Sequence, residues 1–344
     1  MCFEGCGALC ERLRRNDPSL TVVNLNHRNI GNDGAKALAA ALAYNTRVVV
    51  LFLQHNSIGA SGMKALAKAL LAKKMNATTA SSSSSISSSA AAPPSLSSPL
   101  AHLYLDDNHL GDEGCHAIAT IIQSCASLQV LKLTDNQIGP TGVQILMQAL
   151  LSSTSSSSSQ SSSSSSSSLQ YLSLQKNNLG KTGMHILTQA LATQKNGGDL
   201  VLPLRWLDVR CNKVHDWKTV LQEWICVLRD CRNETLSVLE LWETSEWHQH
   251  YPDTDHYHHD NLGALYEELQ FWLHWNRAGR RSLRCTNDTS LPVSRLLANA
   301  AADSRGRSNN KRRRSCLPSS TSPSPDVLWA TLQARPDLVV PKHS

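Results

Sequence analysis

A chain of 344 residues with 41% hydrophobic but only 5% aromatic content can bury a sizeable core, which excludes a wholly disordered protein and leaves the packing to aliphatic side chains. The formal charge of +6 looks basic, yet much of the excess sits in "RAGRRSLRC" (277–285) and "KRRRS" (311–315), so the front half does not read as a nucleic-acid surface. The opening "MCFEGCGALCERLRR" lacks the apolar core of a secretory signal, and no run of about 18 apolar residues occurs, so a soluble, cytoplasmic protein with reduced thiols and no membrane partner is expected. The sequons at Asn76, Asn233 and Asn287 are then expected to stay unmodified.

The first predicted element is a helix. "GCGALCERLRRN" (5–16) lines up with "GAKALAAALAYN" (34–45), but no strand precedes it. From there a strand-and-turn phrase recurs, beginning at Val23 (VNLNHRNIG), Leu51 (LFLQHNSIG), Leu103 (LYLDDNHLG), Leu131 (LKLTDNQIG), Leu172 (LSLQKNNLG) and Leu207 (LDVRCNKV). An apolar residue three positions ahead completes LxxLxL each time, at Leu20, Val48, Leu100, Leu128, Leu169 and Leu204, and Leu236 precedes a last strand at Leu239 and Leu241. After five of the phrases come apolar residues one, four and eight positions beyond a glycine. These are Ala35, Leu38 and Leu42; Met63, Leu66 and Leu70; Cys115, Ile118 and Ile122; Val143, Leu146 and Leu150; Met184, Leu187 and Leu191. That spacing makes one helical face, which must bury against its own strand and the neighbouring helices, so the units stack as a one-dimensional solenoid.

An asparagine closes each turn, at Asn56, Asn108, Asn136, Asn177 and Asn212, with Arg28 and Thr244 in that slot at the two ends. Its amide offers both donor and acceptor to backbone groups the turn would strand. Gly34, Gly62, Gly114, Gly142 and Gly183 at the helix starts predict close backbone approach or unusual dihedrals.

The pattern LxxLxLxxNxIGxxGxxxLxxAL resembles the leucine-rich repeat of the ribonuclease-inhibitor type and covers residues 1 to about 244. The resemblance implies an α/β fold: a right-handed solenoid, or horseshoe, with a parallel sheet on its concave side and helices outside. Residues 1–19 are read as an N-terminal half-repeat helical cap, 20–244 as the repeats, and 245–344 as a His-rich loop, a capping helix and a basic tail.

Residues 78–98 and 152–168 are nearly pure serine, a composition that buries nothing and predicts disorder. Both runs lie between a helix end and the next strand, and long insertions there cost little extra closure entropy. They read as repeat expansion at a permissive site, with a phosphorylation-rich loop as the alternative. In "LGALYEELQFWLHWN" (262–276), Leu262, Leu265, Tyr266, Leu269 and Leu273 share one face, predicting a helix across the open end of the sheet.

Several motifs tempt a chemical reading. "HQHYPDTDHYHHD" (248–260) is rich in imidazole but has none of the closely spaced cysteines of a structural zinc site, so no metal is expected. Cys2, Cys6 and Cys10 fall four residues apart, but Cys6 and Cys115 occupy a slot held elsewhere by Ala, Met or Val, which favours core filling. "KRRR" (311–314) is a nuclear-import candidate or a solvated charge run. No GxxxxGK[ST] loop is present, and no nucleophile, base and orienting group recur together, so neither enzyme nor cofactor is expected.

The concave face remains. Strand alternation aligns Val22, Val50, His102, Val130, Tyr171, Trp206 and Val238 in one column. Asn24, Phe52, Tyr104, Lys132, Ser173, Asp208 and Glu240 form the next, and Asp106, Thr134, Arg210 and Trp242 belong to a third. Trp, Tyr and Arg dominate binding hot spots. The partner-binding set is therefore Val50, Phe52, His102, Tyr104, Asp106, Lys132, Tyr171, Trp206, Asp208, Arg210, Glu240 and Trp242, with Trp206 and Trp242 alternatively packed beneath the C-terminal helix. The expected function is a non-catalytic scaffold gripping a protein partner. The alternatives are a GTPase-activating or other regulatory role, which the resemblance allows, or a nuclear, nucleic-acid-associated factor acting through the basic tail.

Overall fold

The computed structural model describes residues 7–80, 99–155, 168–192, 202–229, 231, 233, 235–242 and 262–277. The serine runs over 81–98 and 156–167, the His-rich stretch, both basic clusters beyond Arg277, Cys2, Cys6 and Thr244 lie outside the described residues.

Elements alternate along the chain: α1 (Gly7–Arg14), β1 (Val22–Asn24), α2 (Gly31–Leu42), β2 (Val50–Phe52), α3 (Ala60–Ala80), β3 (His102–Tyr104), α4 (Gly111–Ser124) and β4 (Val130–Lys132). Then follow α5 (Pro140–Ser155), β5 (Tyr171–Ser173), α6 (Gly180–Ala192), β6 (Trp206–Asp208), α7 (Trp217–Arg229), β7 (Val238–Glu240) and a last helix, α8 (Leu262–Arg277). The strands form one seven-stranded parallel sheet in sequence order, and each helix packs on the next in sequence. This is the α/β solenoid with a parallel sheet that the resemblance implies. β2 pairs directly with β3 and β4 with β5, so the serine insertions interrupt no pairing.

One apolar core runs from Cys10 to Leu273. Each strand buries its middle residue and the apolar residues three before and two after it, while the helices bury the face predicted from the glycine spacing. At roughly 1.5–3 kcal/mol for each buried large side chain, that stripe is what holds a coil to its neighbours.

The asparagines close their own turns, as expected, and also join neighbouring coils. Asn56 donates Nδ2–H to the carbonyls of Gln54 in its own coil and Leu25 in the preceding one, and its Oδ1 accepts from Arg28 N and Ile30 N of that preceding coil. Asn177 repeats the arrangement toward Leu133, Asn136 and Ile138. A second amide set, which the sequence pattern did not disclose, stands at helix ends. Asn45 bonds Leu13 O and accepts from Arg47 N and Val48 N; Asn233 bonds Leu191 O and accepts from Thr235 N and Leu236 N. Asn233 is fully buried.

Of the two reasons expected for the helix-start glycines, close approach is the operative one. A Cβ at Gly62, Gly114, Gly142 or Gly183 would meet neighbouring atoms at 2.6–2.8 Å. Positive φ falls elsewhere, among other places at Gly31, Gly111 and Gly180 and, with φ between 53° and 57°, at His27, His55, Asp107, Asp135, Lys176 and Cys211, each next to the third column.

The last helix is placed by α7 more than by the sheet. It packs mainly beside α7, with a smaller contact to β7, at the C-terminal end of the stack. Phe271 and Trp272 are buried along with Leu262, Leu269 and Leu273, whereas Leu265 and Tyr266 are only half-buried. Asn276 donates to Asn233 O and Leu236 O, tying the end of α8 to the β7 coil.

Candidate functional site

The face of the sheet turned away from the helices carries the predicted columns in register. Val22, Val50, His102, Val130, Tyr171, Trp206 and Val238 are mutual neighbours, as are Asn24, Phe52, Tyr104, Lys132, Ser173, Asp208 and Glu240. Parallel pairing at a strand spacing of about 4.8 Å sets side chains of one column in contact range.

Across that face runs a row of rings broken by one cation. Phe52 and Tyr104 stack with centroids 4.5 Å apart. Lys132 Nζ lies 5.6 Å from the Tyr104 centroid and 5.4 Å from that of Tyr171, and Tyr171 meets Trp206 at 5.3 Å. His102 touches Tyr104 edge-on from the neighbouring column. Lys132 thus replaces a missing ring by a cation–π bridge, which at half-exposed sites contributes on the order of 0.5–1 kcal/mol per ring. Trp206 keeps 38% of its surface exposed, so the row ends in an indole open to solvent. Val50 flanks the row, half-buried.

Alongside the rings the third column and the left-handed residues beside it line a hollow of about 460 Å³. Asp106 accepts from Gln54 Nε2 at 2.6 Å and from Thr134 N at 3.0 Å, so one carboxylate links three coils. Arg210 grips Asp208 through Nε at 3.0 Å and Nη2 at 2.8 Å, and the same Nη2 reaches Glu240 at 2.9 Å. His55 Nδ1 pairs with the Asp107 carboxylate, and His55 stacks on His27. Burial first, then the carboxylates of Asp208 and Glu240, push the Tyr171 hydroxyl up to about 12. A second hollow, about 330 Å³, opens between Tyr171, Trp206, Arg205 and Gln129 at the other ends of the strands.

Two members of the predicted set sit differently from the rest. Asp208 is only 2% exposed, closed off by Arg210 folding back over it, so it positions the arginine and has little surface of its own. Trp242 meets Trp217 at 4.9 Å and Tyr266 of α8 at 5.1 Å, so of the two tryptophans weighed together, this one is covered by the C-terminal helix and Trp206 is not. His55, Asp107, Asp135 and Lys176 line the first hollow and were missed. The signal was present: each immediately precedes its coil's asparagine, at Asn56, Asn108, Asn136 and Asn177.

Buried thiols serve packing. Cys10, Cys115 and Cys125 are at most 2% exposed, and burial, with the nearby Asp112 charge, pushes the Cys115 thiol up to about 12. Among the described residues no three His, Cys, Asp or Glu side chains converge on a metal position, and no helix is long and apolar enough to cross a membrane.

Comparison with known proteins matches the repeat directly. The family model described as "Leucine Rich repeat" fits residues 16–39, 44–67, 97–119, 124–147 and 165–184. No curated protein matches the chain. Similar solved structures include leiomodin-1 actin-binding site 2 (ABS2), at 16% identity and a TM-score of 0.34 over 82% of this chain and 95% of that one. Another is the tropomodulin C-terminal domain of Caenorhabditis elegans, at 16% identity and a TM-score of 0.37 over 54% of this chain and 90% of that one.

Proposed function

We propose that this chain of leucine-rich repeats is a non-catalytic scaffold that docks a protein partner on the open face of its sheet. The observation that carries the reading is the continuous row Phe52–Tyr104–Lys132–Tyr171–Trp206, aromatic surface pre-ordered by its own stacking and left accessible. Rigid aromatic groups lose little side-chain freedom on binding, which makes them efficient anchors. Val50 and His102 extend the apolar contact on one flank of the row; Asp106, Arg210 and Glu240 supply polar groups on the other. Asp208 acts through Arg210, and Trp242 contributes by fixing the end of the sheet beneath α8.

Affinity capture from cell extract with wild type and with Phe52→Ala/Tyr104→Ala tests the surface. Loss of specific partners in the double variant, with an unchanged melting profile, is the expected result. Recovery of the same proteins at equal yield refutes the choice of face.

A further inference from the structure

If the open face is the docking surface, its charge decides what the partner must bring. The first hollow is lined by the carboxylates of Asp106, Asp107, Asp135 and Asp208 against the cations of Lys132, Lys176 and Arg210, a formal −1 within a chain of formal charge +6. Two of the three cations are committed, and Lys176 is the exposed one. Arg210 is held between Asp208 and Glu240, and Lys132 lies over two rings. Among the described residues Asp106 and Asp135 form no ion pair, and the one at Asp107 is with His55.

The rings point the same way. Lys132 shows, within the protein itself, that this row favours an ammonium group over its ring faces, and Trp206 presents a further accessible indole at the end of the row. An acidic ligand would have to sit among carboxylates with only Lys176 exposed to meet it; a basic one finds Asp135 without an ion pair among the described residues and competes only with His55 at Asp107.

We infer that the open face takes a basic segment of its protein partner, a lysine- or arginine-bearing stretch whose charged heads meet Asp107 and Asp135 while its apolar parts lie along Phe52, Tyr104 and Trp206. Exposed charge pairs of this kind change affinity modestly and steer encounter and partner choice more strongly.

Selection of random dodecapeptides by display on the full chain, with the best sequences remade synthetically, tests this. Enrichment of lysine or arginine next to apolar residues is expected. Replacing those basic residues by norleucine, or using Asp107→Asn/Asp135→Asn, should weaken binding about three- to tenfold, and raised salt should abolish the difference. Selected peptides rich in Asp or Glu, or a selection enriching no sequence class, would overturn the inference. Basic peptides that bind Phe52→Ala/Tyr104→Ala and Trp206→Ser as tightly as wild type would instead overturn the choice of face, which separates the two failures.

Discussion

Asn136 and Asn177 occupy the same slot in successive coils, yet their amides are not used equally. Asn177 bonds three carbonyls and accepts from two backbone N–H groups, whereas Asn136 bonds Leu105 O and Thr134 O and its buried Oδ1 has no partner. Leaving buried backbone groups unpaired costs about 1–3 kcal/mol each. Asn177→Ala should therefore lower unfolding stability by at least about 2 kcal/mol and by clearly more than Asn136→Ala; equal shifts in urea midpoint would refute the distinction. Asp17 offers a test by titration. Hydrogen bonds from Ser19, then Arg12, hold its carboxyl at about 2, below the ordinary 3.8. The fold thus favours the charged form, so its contribution is present above about pH 4 and is lost as pH falls toward 2. A carboxyl-carbon NMR titration with its midpoint near 4 would show that these bonds do not persist in solution.

At the level of elements, helix starts are capped by the coil before them. Asn32 Oδ1 accepts from Gly59 N and Gly62 N at the start of α3, and Asp112 Oδ1 accepts from Gly139 N at the start of α5. The glycine makes room for that cap: a Cβ at Gly142 would stand 2.6 Å from Asp112 Oδ1 and 2.9 Å from Cys115 Sγ. Gly142→Ala is expected to cost about 1–3 kcal/mol by crowding, while Gly7→Ala, with nothing within 4 Å, should stay within about 0.5 kcal/mol. Thermal unfolding of the two variants side by side checks both. The strands, the buried helical face and the two facing columns were legible in the sequence because each is a strict period, and a period fixes orientation. The Asn45 and Asn233 set was not, because its members recur only where the helix end is not interrupted by an insertion. Asp208 reads as a surface residue in the strand alternation; only the fold-back of a side chain two residues away buries it. The placement of α8 beside α7 depends on which face meets a neighbouring helix, and its buried Phe271 lies off the stripe that spacing alone suggests.

For the whole molecule, stability is a sum of neighbour contacts, so an insertion at a helix end should be dispensable. A variant in which residues 73–99 give way to the three residues 125–127 that join α4 to its next buried leucine should keep the β2–β3 pairing and unfold within about 1 kcal/mol of wild type. Loss of cooperative unfolding would show that the segment holds the coils together.

The left-handed positions carry a consequence of their own. His27, His55, Asp107, Asp135, Lys176 and Cys211 stand in a file, each in a backbone shape that glycine adopts without penalty and that costs an ordinary L-residue on the order of 1–2 kcal/mol. A molecule shaped by durability alone would have lined this edge with glycines. Keeping imidazoles, carboxylates and an ammonium there trades robustness for a variegated rim, one lettered tooth per coil. Trimming Lys176 to glycine should make the protein slightly hardier and leave a gap in what that rim can recognise.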